Sequence, residues 1–452
     1  MKAAARQVIA ILATSLAFQA SLPPVDLGVL GWIAFVPSLL VSKGRGFAVG
    51  FGTGMAVVLL SALLARFGLW CPASLKDGDP GWIFAGFFVF GIPVGLLHGI
   101  LGDAKATNWA TPVVFAAWAV FFEALTLAVL PGHWALTQWR NPLMLALSSV
   151  TGIWGVSFVG WLANLALAEA ISNPGRRAKL IVLSAVALPM ATNLIHGSPS
   201  NGDKKAVAVQ TENYERSRYL QAVIGRNDGA EIVVWPELAG VAFAVMGDPA
   251  HLIEVGEKSG ATPFATSFED DFRPKKHNTM SIFGPGGQKG MYFKAKLFGG
   301  ERDMRTPGTS VAHEGPYALN ICFDSCFPAW IRRSANQPGV KVILLPTLDP
   351  RSPFGVAQSL HAAYTPFRAA ETGTPIVRAD ATARSLVVDE HGTVTAMAGI
   401  GTDEDIVGNF GEPISTVYSK FGDWFFAVCG LIALIPVAAK LKSRVKTVDC
   451  QN

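Results

Sequence analysis

Apolar residues are distributed unevenly along this 452-residue chain, and their distribution limits its fold more than any other feature. Residues 8–196 contain very few charged side chains, residues 197–420 have the composition of an ordinary soluble domain, and residues 421–440 are apolar again. An apolar run of about 20 residues can cross the hydrocarbon core of a bilayer as a helix. The pattern therefore predicts membrane helices on both sides of one soluble domain.

Seven apolar segments precede the soluble domain, each roughly long enough to cross a bilayer, some only with tilt. They are residues 8–20, 27–42, 47–65, 82–101, 109–130, 143–171 and 180–195. The first segment also has the length of a signal-peptide core, but the segments that follow it favour a membrane span. We predict a seven-span domain over residues 1–196, a soluble domain over 197–420, a closing span over 421–440 and a tail over 441–452.

Basic residues occur at every second connection between the predicted spans. They are Lys2 and Arg6, Lys43 and Arg45, Lys105, the group Arg176, Arg177 and Lys179, and, after the last span, Lys440, Lys442, Arg444 and Lys446. Connections rich in lysine and arginine stay in the cytoplasm. The soluble domain is therefore expected outside the cytoplasm, which in a bacterium is the periplasm or its equivalent.

Two features within the predicted spans are candidates for more than membrane crossing. Glycines recur every four residues in the third and fourth spans, and they favour close helix packing over a lipid-binding groove. Glu123 lies deep in the fifth span, where a carboxylate is costly, so it is either a functional residue or the buried partner of a polar group on a neighbouring helix.

Three strand-like runs in the soluble domain each end near one reactive side chain. Glu237 follows Ile-Val-Val-Trp-Pro, Lys294 follows Met-Tyr-Phe, and Cys322 follows Ala-Leu-Asn-Ile. A thiol is a weak nucleophile at its free pKa and needs a base to accept its proton and a cation near the oxyanion. We interpret Cys322 as the nucleophile, Glu237 as the base and Lys294 as the cation. Taken alone, Glu237 is better interpreted as a strand-terminal carboxylate in solvent, and Lys294 could be a surface charge beside Lys289 and Lys296; the order of the three groups favours catalysis.

Composition argues against several other functions. The net charge of +4 is small and the basic residues are scattered, which gives nucleic-acid binding little support. The five cysteines and eight histidines show no metal-ligand spacing, so no metal site and no cofactor are expected. Cys326 is interpreted as a small buried residue, because a disulfide with Cys322 across a strand end and a turn is not obviously compatible with disulfide geometry.

The same motifs resemble the carbon-nitrogen hydrolase (nitrilase) superfamily. The resemblance rests on the ordered set Trp-Pro-Glu237, Tyr-Phe-Lys294 with Glu301, and Ile-Cys322-Phe-Asp324, followed by residues 367–379. In the apolar region, residues 30–40 and 143–158 resemble the apolipoprotein N-acyltransferase family, the membrane branch of that superfamily. The resemblance implies a polytopic α-helical membrane domain joined to an α/β nitrilase-like domain with a four-layer αββα sandwich.

The resemblance also implies roles for further residues. Glu301 matches an acidic residue that orients the catalytic groups, although it could equally be a loop charge paired with Arg302 or Arg305. Asp324 occupies a position where the acyltransferases usually have glutamate. His361 matches a family histidine and could be structural or face the substrate. Residues 298–301 and 347–355 depart from the family pattern, which affects expectations about the acyl chain more than expectations about the chemistry.

Two functions follow from the resemblance. The first is a membrane acyltransferase that moves an acyl chain from a phospholipid, through a Cys322 thioester, to the amine of a diacylglyceryl-cysteine apolipoprotein in the bacterial inner membrane. Its partners would be the phospholipid donor, the apolipoprotein acceptor and membrane lipids, with no nucleic acid. The second is a membrane-anchored amidase or nitrilase that uses water as the acceptor. Seven spans exceed what an anchor needs, which favours the acyltransferase.

Overall fold

The structure is a computed structural model. It describes residues 2–66, 81–104, 111–127, 132–196, 202–213, 215–224, 228–242, 248–258, 260, 262–270, 276–349 and 356–435. Residues 436–440 of the last predicted span, the predicted tail 441–452 and residues 350–355 of the atypical loop lie outside that set.

Apolar helices form the first region of the chain, as the composition predicts. These are α1 (Lys2–Ser21), α2 (Val36–Ser42), α3 (Phe47–Arg66), α4 (Gly81–Asp103), α5 (Thr111–Thr126), α6 (Pro142–Thr151), α7 (Ile153–Ser172) and α8 (Arg176–His196). Within the described residues, three segments are both long and apolar enough to cross a membrane: Ala3–Ser21, Phe47–Leu64 and Ile153–Ser172. The shorter apolar helices are Gly28–Ser42, Val89–Asp103, Thr111–Thr126, Pro142–Thr151, Lys179–Leu194 and Trp424–Ile435.

Two predicted spans are not single straight helices. The prediction for residues 143–171 is wrong in this respect, because the helix stops at Thr151 and a new one starts at Ile153. Gly152 between them has φ +69°, a left-handed conformation that interrupts the helical hydrogen bonding and suits glycine. The predicted span 27–42 likewise consists of a short 3-10 helix, Gly28–Trp32, followed by α2.

The soluble domain contains two six-stranded sheets that pack face to face. Its strands are β1 (Lys204–Gln210), β2 (Ile232–Val234), β3 (Phe264–Asp270), β4 (His277–Gly284), β5 (Gly287–Phe293), β6 (Ala312–Glu314), β7 (Tyr317–Leu319), β8 (Val342–Thr347), β9 (Ile376–Asp380), β10 (Leu386–Val388), β11 (Val394–Met397) and β12 (Glu404–Phe410). The first sheet has the order β12-β1-β2-β3-β4-β5, and the second has the order β11-β10-β9-β8-β7-β6.

Helices cover the outer face of each sheet. On the first sheet they are α9 (Arg216–Gln221) and α10 (Ala250–Lys258), and on the second they are α12 (Pro328–Ala335) and α14 (Tyr364–Thr372). The other helices of this domain are α11 (Glu301–Met304), α13 (Val356–Ala362) and α15 (Val417–Phe421). Alternate residues of β1 show the layering: Ala206 and Ala208 face the core between the sheets, whereas Val207 and Val209 pack with Tyr219 of α9. The αββα arrangement implied by the resemblance is therefore present.

Parallel strands at the centre of each sheet determine where the candidate site lies. β1, β2 and β3 are parallel in the first sheet, and β7, β8 and β9 are parallel in the second. The carboxyl ends of parallel strands lie at one edge of a sheet, where loops can carry functional side chains. The segments after β2, β7 and β8 meet at this edge, as the hydrogen bonds described below demonstrate.

The helical region and the soluble domain are joined by buried polar contacts. Glu371 of α14 accepts a hydrogen bond from the Ile153 backbone N–H (2.7 Å), which caps the first turn of α7 with a carboxylate. Asp423, after α15, accepts hydrogen bonds from Trp154 Nε1 and Tyr418 Oη, both at 2.8 Å. Because the helix is broken at Gly152, side chains of the soluble domain can contact the N-terminus of α7.

Candidate active site

Glu237 lies three residues beyond the end of β2 and is almost fully buried. Its Oε1 accepts hydrogen bonds from Asn278 Nδ2 (2.7 Å) and Lys294 Nζ (2.8 Å), and its Oε2 accepts one from the Leu348 backbone N–H (2.9 Å). The solvated carboxylate that the sequence left open is therefore excluded, because all of these partners belong to neighbouring loops and strands. The carboxylate is held in one orientation.

Lys294 follows β5 directly, and its ammonium group is shared by two carboxylates. Its Nζ lies 2.8 Å from Glu237 Oε1 and 2.7 Å from Glu301 Oε2, and the side chain is only 2% exposed. Glu301 is held in turn by the Phe298 backbone N–H (2.9 Å) and by Arg305 Nη1 (3.0 Å). Glu301 thus pairs with Arg305, one of the two partners named above, and also contacts Lys294; its role in orienting the catalytic groups stays a prediction.

Cys322 opens a buried 3-10 turn, Cys322–Cys326, that begins three residues after β7. The strand that the run Ala-Leu-Asn-Ile predicts up to Cys322 is shorter in the structure, because β7 ends at Leu319. Cys322 has φ +49°, a left-handed conformation that is unusual for a residue with a side chain. Such strain persists only where surrounding contacts hold the backbone, and it is concentrated at functional sites.

Burial and charge set the ionisation of the site. Burial, reinforced by the negative charge of Glu237, raises the pKa of the Cys322 thiol well above its usual value, and Lys294 only partly opposes this effect. Burial alone would lower the pKa of Lys294, but the negative charges of neighbouring groups, among them the carboxylates of Glu237 and Glu301, hold it above its ordinary value. Near neutral pH the thiol is therefore protonated and the amine is a fixed cation.

Asp324 connects the cysteine turn with the loop that follows β5. Its Oδ2 accepts hydrogen bonds from Tyr292 Oη (2.7 Å) and the Ile321 backbone N–H (2.9 Å), and its Oδ1 accepts one from the Lys296 backbone N–H (2.8 Å). Burial raises its pKa to about 6 despite these donors. The side chain thus holds the loop carrying Lys294 against the turn carrying Cys322.

His361 of α13 lies on the other side of the cysteine turn. Its Nε2 is 3.0 Å from Ser325 Oγ, and its Nδ1 is 2.5 Å from Asp349 Oδ1. Burial, aided by the charge of Arg378, lowers the pKa of His361 to about 3, so the ring is neutral. The Cys322 Sγ atom, a carboxylate oxygen of Asp349 and a ring nitrogen of His361 lie within 4.8 Å of one another. The sequence contains no sign of this group, because its members come from three separate segments.

Two predicted candidates lie elsewhere. Glu123 of α5 accepts hydrogen bonds from the Trp134 backbone N–H (2.9 Å) and Trp161 Nε1 (2.7 Å), so it matches the interpretation as a buried partner of polar groups. Cys326 is a free, buried thiol four residues after Cys322, which is also free, and burial raises its pKa.

Several residues that complete the site have no signal in the sequence. Asn278, the Leu348 backbone N–H, Asp349 and Arg378 hold the carboxylates and the histidine. Asn278 comes from an antiparallel strand, and Arg378 comes from the middle of β9. Periodicity predicts their burial, but only the pairing of strands brings them to this edge.

Two family descriptions match the chain in succession. Residues 14–166 match "Apolipoprotein N-acyltransferase N-terminal domain", and residues 194–409 match "Carbon-nitrogen hydrolase". The chain is 25% identical to "Apolipoprotein N-acyltransferase" from Geobacter metallireducens over 95% of this chain and 94% of the relative. It is 26% identical to the protein of the same name from Gloeobacter violaceus over 96% of this chain and 94% of the relative. Saccharomyces cerevisiae Nit3, a nitrilase-superfamily protein of known structure, aligns with a TM-score of 0.39 at 20% identity, covering 49% of this chain and 96% of that one.

The fold and the matched regions define a membrane protein with a carbon-nitrogen hydrolase domain attached to apolar helices. The two matched regions follow one another along the chain and together span most of it. The chain is thus similar to apolipoprotein N-acyltransferases along nearly its whole length, with one region matching the N-terminal domain of those proteins and a second matching the carbon-nitrogen hydrolases.

Proposed function

We propose that this protein transfers a fatty acyl chain from a phospholipid, through a thioester on Cys322, to the N-terminal amine of a diacylglyceryl-cysteine apolipoprotein. The observation that carries the chemistry is the buried Glu237–Lys294 ion pair (2.8 Å), whose two charges both act on the pKa of the buried Cys322 thiol. A buried carboxylate and a buried ammonium beside a thiol are the two groups that thioester formation requires.

The first half-reaction forms the thioester. Glu237 accepts the proton of the Cys322 thiol as sulfur attacks the ester carbonyl carbon of the phospholipid. Negative charge develops on the carbonyl oxygen, where the Lys294 ammonium stabilises it. The ester C–O bond then breaks, and the departing alkoxide takes the proton from Glu237. The products are a lysophospholipid and the acyl-thioester.

The second half-reaction repeats these steps with an amine. The amine of the apolipoprotein attacks the thioester carbonyl and gives a proton to Glu237, and Lys294 again faces the oxyanion. The C–S bond breaks, and the Cys322 thiolate regains the proton. Donor and acceptor therefore use one site in turn, which corresponds to ping-pong kinetics.

The apolar helices favour the proposal that both substrates are lipids. Both proposed substrates are confined to a bilayer, so a site held at the membrane surface meets them at high effective concentration. We propose that this surface is the periplasmic side of the inner membrane, because basic connections alternate along the helical region. A reporter active only in the cytoplasm and fused near Gly202 should give no signal, and a strong signal would contradict this orientation.

One assay tests the proposed transfer. Purified protein is mixed with acyl-labelled phospholipid and a synthetic diacylglyceryl-cysteine peptide, and the products are separated by mass spectrometry. We expect label in an amide on the peptide, formed only when both substrates are present. Release of free fatty acid at the same rate with and without peptide would instead identify a hydrolase that uses water.

A further inference from the structure

The left-handed backbone of Cys322 must be maintained by contacts on the turn that follows it. Ser325 Oγ lies 2.8 Å from the Cys322 carbonyl oxygen and 3.0 Å from His361 Nε2. Asp324 holds the opposite end of the same turn through the Ile321 backbone N–H. A φ of +49° is strained for a residue with a side chain, so the turn keeps this conformation only while such contacts restrain it.

His361 is itself fixed by a buried ion pair. Its Nδ1 contacts Asp349 Oδ1, and the second oxygen of Asp349 lies 2.6 Å from Arg378 Nη2. Arg378 is fully buried and also lies 2.6 Å from Asp380. Thr382 Oγ1 donates to the Asp349 carbonyl oxygen (2.8 Å). Asp349 is therefore anchored to β9 through both its side chain and its backbone.

The segment containing Asp349 also holds the carboxylate of Glu237. The Leu348 backbone N–H donates to Glu237 Oε2 (2.9 Å), and the Glu237 backbone N–H donates to the Thr347 carbonyl oxygen (3.2 Å). Residues 347–349 consequently contact Glu237 on one side and, through His361 and Ser325, the cysteine turn on the other.

We infer that Asp349, His361 and Ser325 are positioning residues that fix Cys322 relative to Glu237. None of the three is assigned a step in the reaction. Together with Arg378 of β9 they form one chain of polar contacts that ends at the nucleophile turn, and this inference rests on the proposed role of Cys322. Losing the chain should slow formation of the acyl-enzyme and leave phospholipid binding intact, since these side chains hold the turn from within the domain.

Single substitutions can cut the chain at defined points. Ser325→Ala removes the hydroxyl between Cys322 and His361. His361→Gln can keep a polar group near the Nε2 position that faces Ser325, whereas His361→Asn can keep one only near the Nδ1 position that faces Asp349. Ser359→Ala is the matched control. Ser359 lies on α13 with His361, is buried as Ser325 is, and has a hydroxyl with no hydrogen-bond partner among the described residues.

The test measures kcat and KM for acylation of the full-length protein by labelled phospholipid, together with thermal unfolding of each variant. We expect Ser325→Ala and His361→Asn each to lower kcat roughly tenfold with KM within twofold, because one buried hydrogen bond is worth about 1 kcal/mol or more. His361→Gln should recover part of this loss, because it can restore the contact with Ser325 but not the contact with Asp349, and Ser359→Ala should match the wild type.

A double-mutant cycle completes the test. The variant carrying both Ser325→Ala and His361→Asn should be no slower than either single variant, since both cut the same chain. Multiplicative losses, a rise in KM without a fall in kcat, or Ser325→Ala behaving like Ser359→Ala would overturn the inference. A wild-type protein that never acylates Cys322 would instead refute the proposed function, so the two failures are distinguishable.

Discussion

Cys322 combines a strained backbone with a thiol whose pKa is raised by burial. A protonated thiol requires a base before it can attack a carbonyl carbon. If Glu237 is that base, Glu237→Gln keeps the size of the side chain but removes proton acceptance. We expect acyl-enzyme formation to fall roughly 100-fold or more at neutral pH, measured as the rate of thioester appearance. The pKa of Cys322 lies above its usual value, so a rise in pH should increase the thiolate fraction and partly restore the rate in this variant.

Lys294 should respond differently to pH. Lys294→Met keeps the aliphatic stem and removes the cation, so acylation and transfer to the amine should both slow by roughly 100-fold or more, because both steps pass through an oxyanion. Alkaline pH supplies no replacement for that charge. Alkaline rescue of Lys294→Met, without rescue of Glu237→Gln, would reverse the roles assigned to the two residues. Unfolding temperatures should be compared in parallel, since each variant leaves a buried charge with fewer partners.

Among the elements, α3 and α4 provide the sharpest test of the helical region. A Cβ added to Gly50 would lie 2.2 Å from the His98 carbonyl oxygen, and one added to Gly54 would lie 2.7 Å from the Val94 carbonyl oxygen. Both contacts are with backbone, which cannot rotate away. The glycine spacing that predicted close packing is therefore explained by the structure.

Gly50→Ala should destabilise the helical region, and Gly52→Ala should not. The first change forces α3 and α4 apart at a cost of about 1–3 kcal/mol, whereas the second places a methyl group where no atom lies within 4 Å. Alanine at an open helical position is itself worth about 1 kcal/mol relative to glycine. Thermal unfolding in detergent checks the pair. Equal unfolding temperatures for the two variants would contradict close packing of the two helices.

At the scale of the whole molecule, the sequence predicted those features of the fold that depend on the local pattern of apolar and polar residues. Composition predicted apolar helices around a soluble α/β domain, and strand-like runs ending near Glu237, Lys294 and Cys322 predicted where reactive groups would lie. The break at Gly152 was not predictable from hydropathy, because apolar residues continue on both sides of it. At the break, the new helix contacts the soluble domain, where Glu371 accepts a hydrogen bond from the Ile153 backbone N–H.

The contacts among Asp349, His361 and Arg378 could not be predicted for a related reason. The resemblance points to His361 and to the segment that contains Arg378, but not to their contacts with Asp349, because those depend on the pairing of β8 with β9 and on the packing of α13. A buried arginine such as Arg378 is stable only with carboxylates on both sides, and sequence alone does not pair them.

A covalent acyl group on Cys322 is the most direct test of the central claim. Full-length wild-type protein and the Cys322→Ala and Cys326→Ala variants are incubated with labelled phospholipid in the absence of acceptor, and peptides are examined by mass spectrometry. We predict an acyl adduct on Cys322 in the wild type and in Cys326→Ala, its loss on addition of the diacylglyceryl-cysteine peptide, and no adduct in Cys322→Ala. Transfer activity that persists in a folded Cys322→Ala variant, or an adduct found on Cys326 instead, would contradict the account.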